Sequence, residues 1–286
     1  MTFRSSLALL LLLPAPLVAQ LPVPHGFAAS SNVSMRIWVP AGRVRVETWD
    51  RDSIGVSGTV DKNAHFFGAG GGTGAKLGIE NIDPKDTRMA RGDLVVTVPR
   101  NAHVWVKMTD GDVIATHTAG ELEVITVTGT ITVQDASGVV SVETIDATVK
   151  IAGITGEVRA RSGGGRLALA QIHGTLTAAT VSGTIELTGA GMPDARLETI
   201  GGPITVRSTV ARGALLDLET HNGPIALYLD RSIVPALTLA SRSGAVKNGL
   251  GLGYVGAGRI NARSFSGDIN VFAATGIEGK MANTPP

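Results

Sequence analysis

At 286 residues the chain is long enough to bury a sizeable core. Its 43% apolar residues, with 37 Gly and 13 Pro but 4% aromatics, describe a glycine-rich globular chain, not a disordered or collagen-like one. Twenty-five Lys and Arg against 24 Asp and Glu leave a formal charge of +1 with no like-charge run, so nucleic acid is not an expected partner. The absence of cysteine excludes disulfides, zinc-thiolate centres, a cysteine nucleophile and a lipoprotein anchor.

The first predicted element is an export signal. Arg4 precedes the apolar run Leu7 to Leu13, and Pro14, Pro16 and the small residue Ala19 follow, giving a signal peptide over residues 1–19 and a mature chain that starts near Gln20. That run is shorter than the roughly 20 apolar residues of a membrane-spanning helix, so no transmembrane segment is expected. The expected location is the periplasm, the outer surface or the exterior. Residues 20–32 read as a linker.

Residues 33–110 hold strand-like runs at Met35 to Val39, Val44 to Trp49, Ile54 to Val60, Asp93 to Pro99 and His103 to Met108. They predict an antiparallel β-cap, which a repeat array needs because an open end presents unpaired backbone. Within it, Gly68 to Lys76 has the glycine density of a phosphate cradle but not the order of one, and reads as a mobile loop with Phe66 and Phe67 packed beside it.

A nine-residue beat then takes over. Gly recurs at 111, 120, 129, 138, 156, 165, 174 and 183, with Ala147 in the vacant slot. Two and four residues after each of these, every residue is apolar, for instance Leu122 and Val124, Ile131 and Val133, Val140 and Val142, Val149 and Ile151, Leu167 and Leu169. Residues two apart share one side of a strand, so each unit is a short strand and a turn. One such unit cannot bury its inner face alone, whereas stacked units share a continuous core.

Units alternate in character, which sets an 18-residue coil. A first series starts at 129, 165, 183, 202, 223 and 267, and a second at 120, 138, 156, 174, 193, 214, 235 and 258. Position 6 of the second series is Thr126, Thr144, Ser162, Thr180, Thr199, Thr220, Ser241 and Ser264, a column of hydroxyls expected to satisfy local backbone groups. Position 7, taken over both series, is mostly apolar (Val127, Ile145, Ile154, Ile172, Val181, Ile200) and reads as a core edge that opens to solvent at His221 and Arg242. The fold expected for residues 111–273 is therefore an all-β, single-stranded β-helix (a β-solenoid) of about nine coils, right-handed, with a disordered tail over 274–286.

First-series starts at 183, 202, 223, 244 and 267 lengthen the last coils, which predicts loops on one edge near Thr188 to Met192, Arg207 to Gly213, Tyr228 to Val234 and Asn248 to Ala257. Insertions in a solenoid map to the face that often binds. Arg207, Arg212, Tyr228, Asp230, Arg231 and Tyr254 are the candidate binding residues there, an aromatic and arginine-bearing set of the kind enriched in recognition surfaces. Asn248 occupies an inner position and predicts a distorted coil.

Other motifs carry little chemistry. The turns lack the stacked Asp of a calcium-binding nonapeptide roll, and six scattered His show no metal-ligand spacing, so neither a metal site nor a cofactor is expected. Glu198 and Glu219 share a column on neighbouring coils and are expected to splay into water. No catalytic residue is expected.

The stretch Val98 to Val106 (VPRNAHVWV), followed by Gly111 to Val113 and by repeats ending in Ser266 to Val271 (SGDINV), resembles the bacterial "putative adhesin" families of exported β-strand-repeat proteins over residues 33 to 273. The resemblance implies a β-helix-like domain at the cell envelope, and the family has no agreed catalytic residues. The functional expectation is a non-enzymatic adhesin-like interaction or scaffold protein whose partner is an envelope protein or glycan. The alternative is a carbohydrate-active β-helix enzyme, a polysaccharide lyase or hydrolase.

Overall fold

The structure of the protein, a computed structural model, describes residues 20–22, 25–192, 194–230, 235–250 and 258–274. The expected signal peptide, the tail after Ala274 and the candidate residues Arg231 and Tyr254 lie outside the described residues. Among those residues no helix is long and apolar enough to cross a membrane.

Five strands precede the regular repeat: β1 (Gln20–Pro22), β2 (His25–Trp49), β3 (Ser53–Asp61), β4 (Ala64–Asn81) and β5 (Arg91–Pro99). The antiparallel part of the cap is β3, which pairs with β1, with the start of β2 and with β5. Residues 20–22 and 25–32, expected as a linker, are strand instead: residues 20–22 and 25–28 pair along β3, and Ala29 pairs with Gly72 of β4. The stretch Gly68 to Lys76 is strand as well, not a loop. Its glycines reach positive φ at Gly70, Gly71 and Gly72, where β4 turns back on itself. The following run buries Ala75, Leu77 and Ile79 on alternate positions. Phe66 packs against the core, and the Phe67 ring covers Gly78 so closely that a Cβ there would lie 2.7 Å from it.

The middle of the chain is the expected solenoid. Strand β6 (His103–Thr116) pairs in parallel with β7 (Glu121–Gln134), β7 with β8 (Ser137–Thr180) and β8 with β9 (Thr184–Met192), with Val104, Leu122 and Val140 in one column and Val113, Ile131 and Val149 in another. The sequence pattern dictates this, since alternate residues point to opposite sides of a strand. Leu122, Ile131, Val133, Val142, Ile151 and Leu169, the expected core, are each at most 1% exposed. Each such burial contributes on the order of 1.5–3 kcal/mol. One corner of the coil is a left-handed column, with φ near 57° at His117, 51° at Asp135, 69° at Gly153 and 50° at Gln171.

The hydroxyl column lines the other corner and turns inward, as expected. Thr180, Thr199, Thr220 and Ser264 are buried, and each accepts a hydrogen bond from the backbone N–H of the glycine three residues on, at 2.7–3.0 Å. Position 7 does not form one core edge. In the first series it is interior, with Ile154 and Ile172 at 0–1% exposure. In the second it is an outer ridge, with Ile145 63%, Val181 53% and Ile200 55% exposed. The two series turn different corners, so pooling them hid two opposite environments.

The chain continues as β10 (Ala195–Thr199), β11 (Ile204–Val210), β12 (Leu215–Thr220), β13 (Ile225–Asp230), β14 (Ala236–Ser241), β15 (Val246–Asn248), β16 (Arg259–Ser264) and β17 (Ile269–Ala274). Here the stacking departs from chain order. Strands β16 and β17 pair directly with β12 and β13, through Leu216↔Ile260 and Ile225↔Ile269. Strands β14 and β15 pair with the far side of β16 and β17. The glycine column agrees: Gly267 lies against the carbonyl of Gly223, and Gly244 against that of Gly267. The expected sequence of starts 223, 244, 267 is therefore 223, 267, 244 in space.

The physical reason is the inner face of each coil. The coil from Arg259 to Ala274 puts Ile260, Ala262, Ile269 and Val271 inside, each at most 2% exposed. The coil from Ala236 to Asn248 carries Asn248 at an inner position, and an amide sealed between two coils would lose its water without a partner. At the end of the stack it reaches solvent, where Asn248 is exposed and its Oδ1 accepts a hydrogen bond from the Leu250 N–H at 3.0 Å. The expected distortion is thus a change of place.

The N-terminal end is arranged the same way. Strand β2 pairs in parallel with β6 from Ser34 to Val46, and with β4 and β5 on its other side. The parallel ladder therefore begins at Ser34, upstream of the glycine beat at 111.

Stacked rings span the inserted C-terminal coil. Tyr228 stacks on Phe272 at 4.9 Å, and His221 on Phe265 at 4.7 Å with 11° between planes. Such pairs contribute about 0.5–1.5 kcal/mol each beyond their burial. Replacing Phe265 and Phe272 together with Ala is expected to speed amide exchange over residues 259–274 at least tenfold while residues 121–170 keep wild-type protection. Equal acceleration in both regions would contradict a local role.

Candidate functional site

The outward residues of β10, β12, β16 and β14 fall in rows set by the register. One row is Arg196, Asp217, Asn261 and Thr238, and the next is Glu198, Glu219, Arg263 and Ala240. The corner beyond them presents Ile200, His221, Phe265 and Arg242, all exposed. Between the second row and this corner lies an open groove of about 680 Å³, lined by charged residues on one wall and by apolar and aromatic residues on the other.

Its electrostatics are mixed. Arg196 forms an ion pair with Glu198. The Glu198 carboxylate, then Asp217 and Glu219, push the Arg196 guanidinium above its ordinary pKa. Glu198 and Glu219 share a column as expected, with Arg263 next in line. The Arg242 guanidinium sits 5.1 Å over the Phe265 ring, whose other face meets His221.

The sequence-predicted residues sit on the other sheet face. Arg207 lies 3.6 Å over the Tyr228 ring, and Tyr228 lies on Phe272, so an Arg–Tyr–Phe stack crosses three coils. Asp230 follows Tyr228 on β13 and is half-buried. Arg212 is exposed in the turn after β11 and is not brought to the stack. The first two expected loops are neighbours, but they are partly strand, with Arg207 opposite Thr188 and Val210 opposite Met192. The other two fall largely outside the described residues; the strands they join lie two coil spacings apart from β13 to β14, about 9.6 Å, and one from β15 to β16, about 4.8 Å.

Phe265 and Phe272 were not expected as site residues. In chain order each stands two coils from its ring partner, and only the inserted coil brings them together.

The family comparison matches the Toastrack DUF4097 model over residues 34–283. The chain belongs to the Toastrack DUF4097 family. Among curated proteins, none matches this Toastrack chain. Two of the solved structures to which it is similar are as follows. One is described as a putative cell adhesion protein from Clostridium sporogenes ATCC 15579, at 10% identity and TM-score 0.27, covering 88% of this chain and 100% of that one. The other is described as a putative adhesin from Bacteroides fragilis NCTC 9343, at 13% identity and TM-score 0.44, covering 90% and 99%.

Proposed function

We propose that this protein is an exported cell-envelope solenoid that acts as a non-enzymatic, adhesin-like interaction or scaffold protein and holds its partner on the outer faces of its C-terminal coils. The concentration of aromatic and arginine side chains on the outer faces of those coils carries the reading: exposed Arg207 over half-buried Tyr228 on one face, and exposed His221, Phe265, Arg242 and Arg263 on the other. Aromatic residues and Arg dominate recognition surfaces because they bring large contact area and directed donors together. Arg212 and Asp230 extend the proposed surface, and Arg231 and Tyr254, which lie outside the described residues, are proposed with them on the sequence alone. Export rests on the n, h and c regions of residues 1–19.

The test is retention from cell-envelope extract by immobilised protein, wild type against the variant Arg207→Ala with Tyr228→Ala. The variant is expected to keep the wild-type melting temperature within a few degrees and lose most of the retained material. Undiminished retention by this variant and by a second one, Arg242→Ala with Arg263→Ala, would overturn the reading. The paired carboxylates Glu198 and Glu219 favour one other reading, a carbohydrate-active enzyme. Polysaccharide cleavage by the wild type that disappears in Glu219→Gln would establish it instead.

A further inference from the structure

The groove on the second-series face differs in kind from the Arg207–Tyr228 edge. It runs along the solenoid axis, with Glu198, Glu219 and Arg263 on one wall and Ile200, His221 and Phe265 on the other. Its floor hydroxyls are already occupied by glycine N–H groups. We propose that this groove binds an extended, mostly neutral glycan chain. The inference rests on reading the C-terminal coils as a binding surface and narrows it to one ligand class.

The state of the backbone argues against a peptide. Extended peptides are commonly held by adding a strand to a free sheet edge. Here β12 is paired on one side with β10 and on the other with β16, and β16 is paired on both sides too, so the groove offers side chains only. A hydroxyl-rich chain suits side-chain recognition, since each hydroxyl both donates and accepts: Glu219 accepts and Arg263 donates. Neither forms an ion pair among the described residues, and both are exposed.

Spacing points the same way. Side chains on one wall recur once per coil, about every 4.8 Å, close to the ring-to-ring advance of an extended hexose chain. An extended peptide turns side chains to one side only at every second residue, about every 6.7 Å, and is out of step with the coils from the first one on. The apolar wall presents edges, because His221 and Phe265 cover each other's faces and Arg242 covers the far face of Phe265. Ring edges carry partial positive charge, so they meet the oxygen-rich flank of a sugar while the Ile200 methyls meet its C–H groups. Charge then selects among glycans. Arg196 neutralises Glu198, Glu219 stands beside Arg263, and Arg242 on the opposite wall is drawn over the Phe265 ring, so the groove, with three Arg against two Glu, is close to neutral and a densely anionic chain meets two carboxylates in it.

The test is calorimetric titration of the purified protein with cellohexaose, chitohexaose and hexagalacturonate. Binding of one of the two neutral oligosaccharides is expected, with hexagalacturonate weaker. Glu219→Ala and Arg263→Ala are each expected to weaken it about tenfold or more, as for loss of a hydrogen bond to a charged group. Lys150→Ala, exposed on a coil away from the groove, should leave it unchanged. Glu219 and Arg263 are exposed, so the variants keep the fold, which an unchanged melting curve verifies. The proposal is overturned if no oligosaccharide binds, if hexagalacturonate binds tightest, or if Glu219→Ala and Arg263→Ala bind as wild type. It is also overturned if envelope extract yields a protein whose retention depends on Arg263. Envelope material still held through Arg207 and Tyr228 would then show that only the glycan assignment had failed.

Discussion

Replacing Ile151 with Asp abolishes folding. Ile151 is 1% exposed and lies in register with Val133 of the preceding coil. A carboxylate there is either ionised and sealed between coils or protonated without a partner, and either state costs several kcal/mol on top of the lost apolar burial. A domain is stable by only about 5–15 kcal/mol, so one such change removes most of the margin. The expected outcome is insoluble or protease-sensitive protein with no cooperative β-sheet melt by circular dichroism. Soluble Ile151→Asp protein with a wild-type spectrum and melting point would show that position 4 does not face the core.

Gly129→Ala has the next largest effect. The glycines that begin the first-series units stand over one another, and a Cβ on Gly129 would lie 1.9 Å from the carbonyl oxygen of Gly111, with φ at 115°. Parallel strands cannot part there without breaking the ladder on both sides, so the variant combines a conformation that side chains avoid with overpacking. Together these cost on the order of 2–6 kcal/mol. Gly213 is the control, because its φ is 80° but a Cβ there meets nothing within 4 Å. Gly213→Ala should cost only about 1 kcal/mol. Urea unfolding distinguishes the two, and equal midpoints would refute the close approach of the coils.

The repeat was legible in the sequence because a sealed core tolerates no exception. Leu122, Ile131 and their successors had to be apolar in every coil, and the hydroxyl column had to meet a backbone partner at each turn, a carbonyl at Thr126, Thr144 and Ser162 and a glycine N–H at Thr180, Thr199, Thr220, Ser241 and Ser264. The order of the end coils was not legible from periodicity, since each coil offers its neighbour the same backbone ladder. The deciding signal was the misfit at Asn248, which read as local distortion but marks the coil that must stay outermost. At the other end, Met35 and Val44, and Ile37 and Val46, already keep the nine-residue spacing. The long excursion from residue 50 to 102 separates them from the rest of the beat and concealed it. Glycine density made Gly68 to Lys76 look like a loop, although Ala75, Leu77 and Ile79 alternate as a half-buried strand does. The candidate site was half legible: Arg207 and Tyr228 meet as aromatic and cation, but the groove depends on Phe265 and Arg263 arriving beside His221 and Glu219, which follows only from the exchanged coil order.

That order is testable by cross-linking, because the chain has no cysteine of its own. Asp217 and Asn261 are Cα partners on β12 and β16, and Thr238 partners Asn261 from the other side. Adjacent strands lie about 4.8 Å apart, within the roughly 4.4–6.8 Å that a disulfide spans, whereas Asp217 and Thr238 stand about 9.6 Å apart. Under mild oxidation, Asp217→Cys combined with Asn261→Cys should close an intramolecular disulfide, detected by mass spectrometry of the digested protein. Asp217→Cys combined with Thr238→Cys should stay reduced. Closure of the second pair and not the first would mean that the coils stack in chain order, and the groove built from His221, Phe265 and Arg263 would not exist.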